Sequence, residues 1–246
     1  MTVSGSDTGE NIAWPVEATN RMNRMYRRQR HIYDGTRRYY LLGRDQLIAG
    51  LQPSAGATVL EIGSGTGRNL IVAARQYPDT RFFGIDVSTE MLTSAIAAVT
   101  RNGLQGQIRV AHGDATAFDP QAIFGIPSFD HVMISYSLSM IPDWRAVLER
   151  AASSLKPGGC LHIVDFGNQQ DLPRITGALL RRWLAMFDVT PRDDLERALN
   201  RFADTSGATL RFERPFRGYA QYAVLMFPAQ PRPREPVTGH GLRRRV

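Results

Sequence analysis

The sequence predicts an α/β fold with a doubly wound, mostly parallel seven-stranded sheet, a helical segment in front of it and an inserted helical pair before the last two strands. Three observations predict it. Short apolar runs alternate with amphipathic, helix-length stretches from residue 57 to residue 164, the rhythm of strand–helix–strand crossovers. A glycine-rich turn, Gly63-Ser64-Gly65-Thr66-Gly67, closes the first of those runs. Two more apolar runs follow a pair of helices that breaks the alternation.

Residues 1–20 read as a flexible arm and 21–51 as a helical lid, with Met22, Met25, Tyr26, Tyr33, Tyr40, Leu41, Leu47 and Leu51 at near-helical spacing. Gly35 and Gly43 are the points where that helix can break. Pro53-Ser54-Ala55-Gly56 then interrupts the chain. Strands are expected over 57–62, 81–85, 107–111, 129–135 and 160–164. Helices are expected over 68–76, over 91–99 behind Ser88 as N-cap, and over 143–155, the last closed by the turn Lys156-Pro157-Gly158-Gly159. In the insertion, 166–207, Pro173 reads as a first helical residue. Ile175, Leu179, Leu180, Trp183, Leu184 and Phe187 follow it as one apolar stripe. Thr190-Pro191-Arg192-Asp193 reads as the N-cap of a second helix, with Leu195, Ala198, Leu199 and Phe202 behind it. Residues 209–212 and 219–226 read as antiparallel strands within a closing segment, 208–227. A Pro- and Arg-rich tail, 228–246, reads as disordered. One domain thus spans 21–227, with its ligand-binding core at 55–165.

The composition narrows the class. A chain of 246 residues with 43% hydrophobic content supports a core that needs no staples. The single cysteine, Cys160, excludes an intramolecular disulfide and a cysteine-based metal cluster; it reads as buried core, and no metal is expected. No apolar stretch approaches membrane-spanning length, and residues 1–11 are polar, so a cytoplasmic location is the expectation. The net charge is +7 and the isoelectric point about 10.1. The excess is clustered: between residues 21 and 45, eight arginines against Asp34 and Asp45 leave +6, and in the tail five arginines against Glu235 leave +4. All the basic residues but Lys156 are arginine, which fits a GC-rich bacterial genome; the clustering fits an anionic partner, a membrane surface or a nucleic acid.

The chemistry-bearing motifs come in order. Val59-Leu60-Glu61-Ile62-Gly63-Ser64-Gly65-Thr66-Gly67 ends the first strand. Glycines there let the backbone turn tightly and approach a ligand, and the following helix points free N–H groups at it. A dinucleotide fingerprint is the competitor, but Arg68 stands where that pattern requires a small residue. Gly84-Ile85-Asp86-Val87-Ser88 places a carboxylate at the end of the second strand, where it can accept two ribose hydroxyls. Ala111-His112-Gly113-Asp114-Ala115 follows the third strand, and Leu155-Lys156-Pro157-Gly158-Gly159 precedes the fifth.

In this order and spacing the four motifs resemble the class I, Rossmann-like S-adenosylmethionine-dependent methyltransferases over residues 55–165. The resemblance implies that Glu61, Gly63, Ser64, Gly65, Gly67, Asp86, Val87, Asp114 and Ala115 hold the donor S-adenosylmethionine, with Asp114 and the Ala115 N–H on the adenine. Four further segments lie outside the donor site: Tyr26 to Asp34, Thr36 to Asp45, Ser135 to Pro142, and Phe187 to Arg192. These resemble the N-methyltransferases that make the betaine lipid diacylglyceryl-trimethylhomoserine. That resemblance implies three successive methylations of the amine of diacylglyceryl-homoserine, a lipid acceptor reached at an anionic membrane surface on its cytoplasmic face. It also makes the aminocarboxypropyl transferase that builds the acceptor a candidate partner.

Tyr33, Arg37, Tyr40 and Arg44 share one face if the helix is unbroken; their rings suit a trimethylammonium group and their guanidinium groups a carboxylate. Tyr136, after the fourth strand, is the candidate beside the methyl group; His31 reads as exposed and His131 as core. Other readings fit the same residues. A nucleic-acid methyltransferase is disfavoured, because Ser135-Tyr136-Ser137-Leu138 stands where base-amino enzymes carry an Asn-Pro-Pro or Asp-Pro-Pro motif. A small-molecule methyltransferase and a non-catalytic, donor-binding scaffold stay open.

Overall fold

The computed structural model describes residues 41–171, 173–187 and 189–229. The N-terminal arm, the lid up to residue 40 and nearly all of the tail fall outside the described residues, and with them His31, Tyr33, Arg37 and Tyr40.

The elements run α1 (Arg44–Leu51), β1 (Thr58–Ile62), α2 (Arg68–Gln76), β2 (Arg81–Asp86), α3 (Thr89–Arg101), β3 (Ile108–His112), α4 (Pro120–Phe124) and β4 (Phe129–Ser135). After them come α5 (Trp144–Ser153), β5 (Leu155–Phe166), α6 (Arg174–Ala185), α7 (Leu195–Ser206), β6 (Thr209–Glu213) and β7 (Ala220–Met226). The strands form one seven-stranded sheet in the order β3-β2-β1-β4-β5-β7-β6. β1 to β5 are parallel, whereas β7 pairs antiparallel with both β5 and β6. This is the expected doubly wound sheet with an antiparallel closing pair. Its order reverses between β1 and β4, and ligands of such sheets bind at the carboxyl ends of the strands around that point.

The two faces of the sheet carry two apolar layers. Leu60, Ile62, Phe83, Ile134 and Ile163 meet Val147, Leu148 and Ala151 of α5 and Leu195 and Leu199 of α7. On the other face Val59, Phe82, Met133 and Val164 meet Leu47, Ile48 and Leu51 of α1 and Leu70, Ala73 and Ala74 of α2. Strands covered on both faces read as unbroken apolar runs, and β1 is buried along its whole length. Leu47, Ile48 and Leu51 are at most 2% exposed, and each contributes roughly 1.5–3 kcal/mol through burial.

Several expectations change. The helix over 21–51 does not run unbroken into its C-terminal part. Gly43 turns left-handed at φ 82° and α1 starts only at Arg44, so Arg44 does not continue a helical face from Tyr40. The second inserted helix starts at Leu195, after Asp194, and not at Thr190. The Thr190 N–H is instead donated to the Ser139 carbonyl, and the Arg192 side chain bonds other loop carbonyls. Pro173 occupies the position before α6, whose helical residues end at Ala185. The Lys156–Gly159 turn lies inside β5 as an irregularity, where the pairing with β4 slips between Phe129 and His131. Helix α4, capped by Asp119, has no counterpart in the sequence reading: at five residues it carries no periodic signal. The Ser88 cap is as expected, its side chain accepting from the Met91 N–H. Cys160 and His131 are half-buried and not core.

Candidate functional site

A cavity of about 910 Å³ opens at the carboxyl edge of the sheet. The glycine loop between β1 and α2, Asp86 at the end of β2 with Val87 after it, and Gly113 to Thr116 after β3 form one wall. Tyr136 and Ser137 after β4, the loop to Asp143, and Leu41 and Arg44 at the start of α1 form the other.

The loop has the shape that its glycines allow. Gly63, Gly65 and Gly67 have φ of 73°, 54° and 74°, a region costly for residues with a Cβ. A Cβ on Gly63 would also lie 2.3 Å from Ser137 Oγ on the opposite wall. Asp86 holds this loop. Its Oδ2 accepts the Gly65 N–H at 2.8 Å and its Oδ1 the Ser88 N–H at 2.9 Å. These bonds fix the carboxylate at the cavity wall, between the glycine loop and the start of α3. Asp114 is ordered the same way, its Oδ1 accepting the Thr116 N–H at 2.8 Å and the Thr116 hydroxyl at 2.7 Å.

Glu61 is 1% exposed, at the base of the loop. Its Oε1 accepts from Asn69 Nδ2 at 2.7 Å, while Oε2 is buried without a hydrogen-bond partner. Burial raises its pKa to about 8, against the lowering effects of Asn69 and of the nearby Arg44. Ser64 Oγ is likewise buried and unpartnered. Unsatisfied buried acceptors on the cavity wall are what a ligand with an ammonium group would satisfy. Asn69 escaped the sequence reading; its signal was its place in the first turn of the helix after the loop, within reach of the strand end.

On the other wall Tyr136 is 3% exposed and has φ of 56°, a left-handed conformation that a bulky residue adopts only where its surroundings impose it. Its N–H is donated to the Val164 carbonyl at 2.8 Å, and its ring meets Phe166 edge-on at 4.6 Å. Its hydroxyl donates to the Leu42 carbonyl. Burial pushes the phenol well above its usual pKa, so it stays protonated. With its proton engaged, the oxygen faces any further group as an acceptor and not as a base. Arg44, 8% exposed, donates through Nε to the Leu41 carbonyl at 3.2 Å and borders the same cavity.

The loop after β4 is clamped by residues that the sequence reading placed elsewhere or overlooked. Arg192 donates to the carbonyls of Leu138 at 3.0 Å and Ile141 at 2.8 Å. Asp165, 1% exposed at the end of β5, accepts the Ser139 N–H at 3.1 Å and the Phe166 N–H at 2.7 Å. The Ser135–Pro142 and Phe187–Arg192 segments therefore meet at one edge of the cavity. Of the residues named from sequence, the structure brings Glu61, Gly63, Ser64, Gly65, Asp86, Val87, Asp114, Ala115, Arg44 and Tyr136 to one cavity, whereas Gly67 does not line it and faces Ala95 of α3, which a Cβ there would meet at 3.2 Å.

Comparison with known proteins agrees with this architecture. Residues 59–159 match the family described as "Methyltransferase domain". An O-methyltransferase of Penicillium expansum is 30% identical over 151 residues, covering 61% of this chain and 52% of that protein. A demethylmenaquinone methyltransferase of Geobacillus kaustophilus is 31% identical over 123 residues, 50% of each chain. The chain thus spans about half the length of these curated relatives. Among solved structures, phosphoethanolamine N-methyltransferase 2 of Haemonchus contortus, in complex with phosphomonomethylethanolamine and S-adenosylhomocysteine, superposes with a TM-score of 0.67. It is 17% identical and covers 87% of this chain and 61% of that one. Residues 59–159 thus resemble a methyltransferase domain in sequence, on a fold shared with the solved N-methyltransferase.

Proposed function

We propose that the whole chain is an S-adenosylmethionine-dependent N-methyltransferase that converts diacylglyceryl-homoserine to its trimethylated betaine lipid at an anionic membrane surface. The observation that carries the reading is the second wall of the cavity. The two described segments that resemble the betaine-lipid enzymes lie far apart in sequence, yet Arg192 and Thr190 bond the loop that follows Tyr136. The structural relative from Haemonchus is also an N-methyltransferase, in complex with an amine carrying one methyl group.

The donor supplies an electrophilic methyl group on a sulfonium. Gly63 to Gly67 and Asp86 would hold it, with the bare oxygen of Glu61 directed to its ammonium group. The chain's own part in the transfer is alignment and exclusion of water. A neutral Tyr136 oxygen accepts a hydrogen bond from the acceptor amine, and the loop fixed by Arg192 and Asp165 sets the approach. Arg37 and Arg44 are the candidate partners of the homoserine carboxylate, and the rings of Tyr33 and Tyr40 those of the trimethylammonium product. The acceptor's acyl chains remain in a bilayer, so the enzyme must dock. The arginine-rich composition of 21–45 suits that docking, as do Leu179 on α6, 62% exposed, and Met186 just after it, 70% exposed.

Purified enzyme with labelled donor tests the reading on diacylglyceryl-homoserine, presented in anionic and in neutral vesicles. The expected result is mono-, di- and trimethylated lipid, faster on anionic vesicles and slowed by salt. Methylation of RNA or a soluble amine with the lipid untouched overturns the acceptor assignment. Lipid methylation without dependence on vesicle charge overturns the docking surface alone.

A further inference from the structure

We propose that His131, Cys160 and His162 form a binding site for a borderline-soft divalent metal ion, zinc being the first probe. The site lies apart from the methyltransferase chemistry, since none of the three residues lines the donor cavity.

Strand register puts them together. In the β4–β5 pair His131 is the direct partner of Cys160, and Met133 is the partner of His162. Side chains two apart on a strand share a face, so all three project from the same side of the sheet. His131 Nδ1 and His162 Nε2 are 3.2 Å apart, and one ligand atom from each of the three residues lies within 4.8 Å of the others. A tetrahedral ion with Zn–N bonds of about 2.0–2.1 Å holds two nitrogens about 3.3–3.4 Å apart, so the imidazole spacing already matches. Two imidazoles and a thiolate form a donor set suited to zinc or cobalt(II) and poor for magnesium or calcium, which take oxygen ligands.

The two imidazoles are already in the ligating form, whereas burial raises the pKa of the Cys160 thiol, so its thiolate forms only as the ion displaces the proton. Burial, with His131 adding to it, drives the His162 pKa down to about 3, and burial lowers that of His131. Both rings are neutral near pH 7 and present lone pairs. Without an ion, the pair is a single N–H···N hydrogen bond between His131 Nδ1 and His162 Nε2. With an ion, the thiol S–H bond breaks, an S–metal bond forms and the proton leaves to solvent. Cys160 and His131 are half-buried, so the ion has an approach and its fourth position takes water or a small anion.

The test uses full-length protein without a polyhistidine tag, stripped with chelator. Calorimetric titration with zinc is expected to give one ion per chain. Cobalt(II) is expected to give a thiolate-to-metal charge-transfer band together with intense visible bands. Cys160→Ser should remove the charge-transfer band and weaken zinc binding at least tenfold, and His131→Ala should weaken it comparably. Both positions are half-buried, and circular dichroism verifies that these variants fold. Donor affinity should be unchanged in Cys160→Ser, which separates this site from the cavity. Absence of stoichiometric zinc binding, or equal binding in both variants, overturns the proposal.

Discussion

The cavity's two walls are held by contacts of different reach. On the β1–β3 side, Asn69 bonds Glu61 across 8 residues, Asp86 bonds Gly65 across 21, and Asp114 bonds a residue two positions on. On the β4–β5 side, Tyr136 bonds Leu42 across 94 residues, Arg192 bonds Leu138 across 54, and Asp165 bonds Ser139 across 26. A wall made of short-range contacts forms with its own strand and loop. A wall made of long-range contacts exists only when the whole domain is assembled, because each contact carries a loop-closure cost. The first kind suits a ligand common to many enzymes, and the second kind suits a ligand that differs among them.

Gly63→Ala strikes both walls and should have the largest effect. The added Cβ stands in the left-handed region, at roughly 1–2 kcal/mol, and collides with Ser137, an overpacking of about 1–3 kcal/mol. Donor affinity by calorimetry should fall more than about tenfold, and denaturation should show a lower midpoint. Ser137→Gly in the same chain should recover the collision but not the backbone strain. If it recovers nothing, the walls do not meet at this point.

The short-range wall should also carry a pH signature. Glu61, raised to about 8 in the fold, keeps its proton over a range in which the unfolded chain, at its ordinary value of 4.5, has lost it. The folded state therefore binds more protons between those values, and stability of the ligand-free protein falls as pH rises, by at most ~1.4 kcal/mol per pH unit. Glu61→Gln should flatten that slope. Donor binding, which in the proposed site would place an ammonium group beside the carboxylate, should release a proton and strengthen as pH approaches 8. Calorimetry in buffers of differing ionisation heat measures the proton directly. A slope that persists in Glu61→Gln belongs to another group.

Arg192→Ala should have the smallest effect on donor affinity and act on the other wall alone. Losing two hydrogen bonds to loop carbonyls should cost about 1–3 kcal/mol in kcat/KM for the acceptor, with donor affinity changed less than about twofold. Equal losses for donor and acceptor would show that the two walls are one unit.

The same difference in reach decides what the sequence made legible. The strand–helix alternation, the glycine loop, Asp86 and the Ser88 cap are written in neighbouring residues, and each is where the pattern places it. Arg192 shows the limit. In sequence it is a charged residue behind Thr190-Pro191 and reads as the start of a helix. In the fold its donors satisfy two carbonyls some fifty residues upstream, so the helix begins after it. Asp165 ends an apolar strand and gives no local sign that it will accept loop N–H groups. Gly43 was visible as a breaker, but only the backbone shows that it separates Arg44 from the helical face assigned to it. The cluster of His131, Cys160 and His162 depends on register between two strands, which a residue-by-residue reading does not supply.

The hydrogen bond from Tyr136 to the Leu42 carbonyl ties the fixed sheet to the chain leading back toward the N-terminus. An acceptor that takes three methyl groups requires three donor molecules to enter and three spent ones to leave. This tether holds the entry to α1 against the cavity, whose lining includes Leu41 and Arg44. On the function proposed above, the lifetime of this phenol–carbonyl bond relative to the exchange of donor separates a processive enzyme, which finishes the lipid in one visit, from a distributive one.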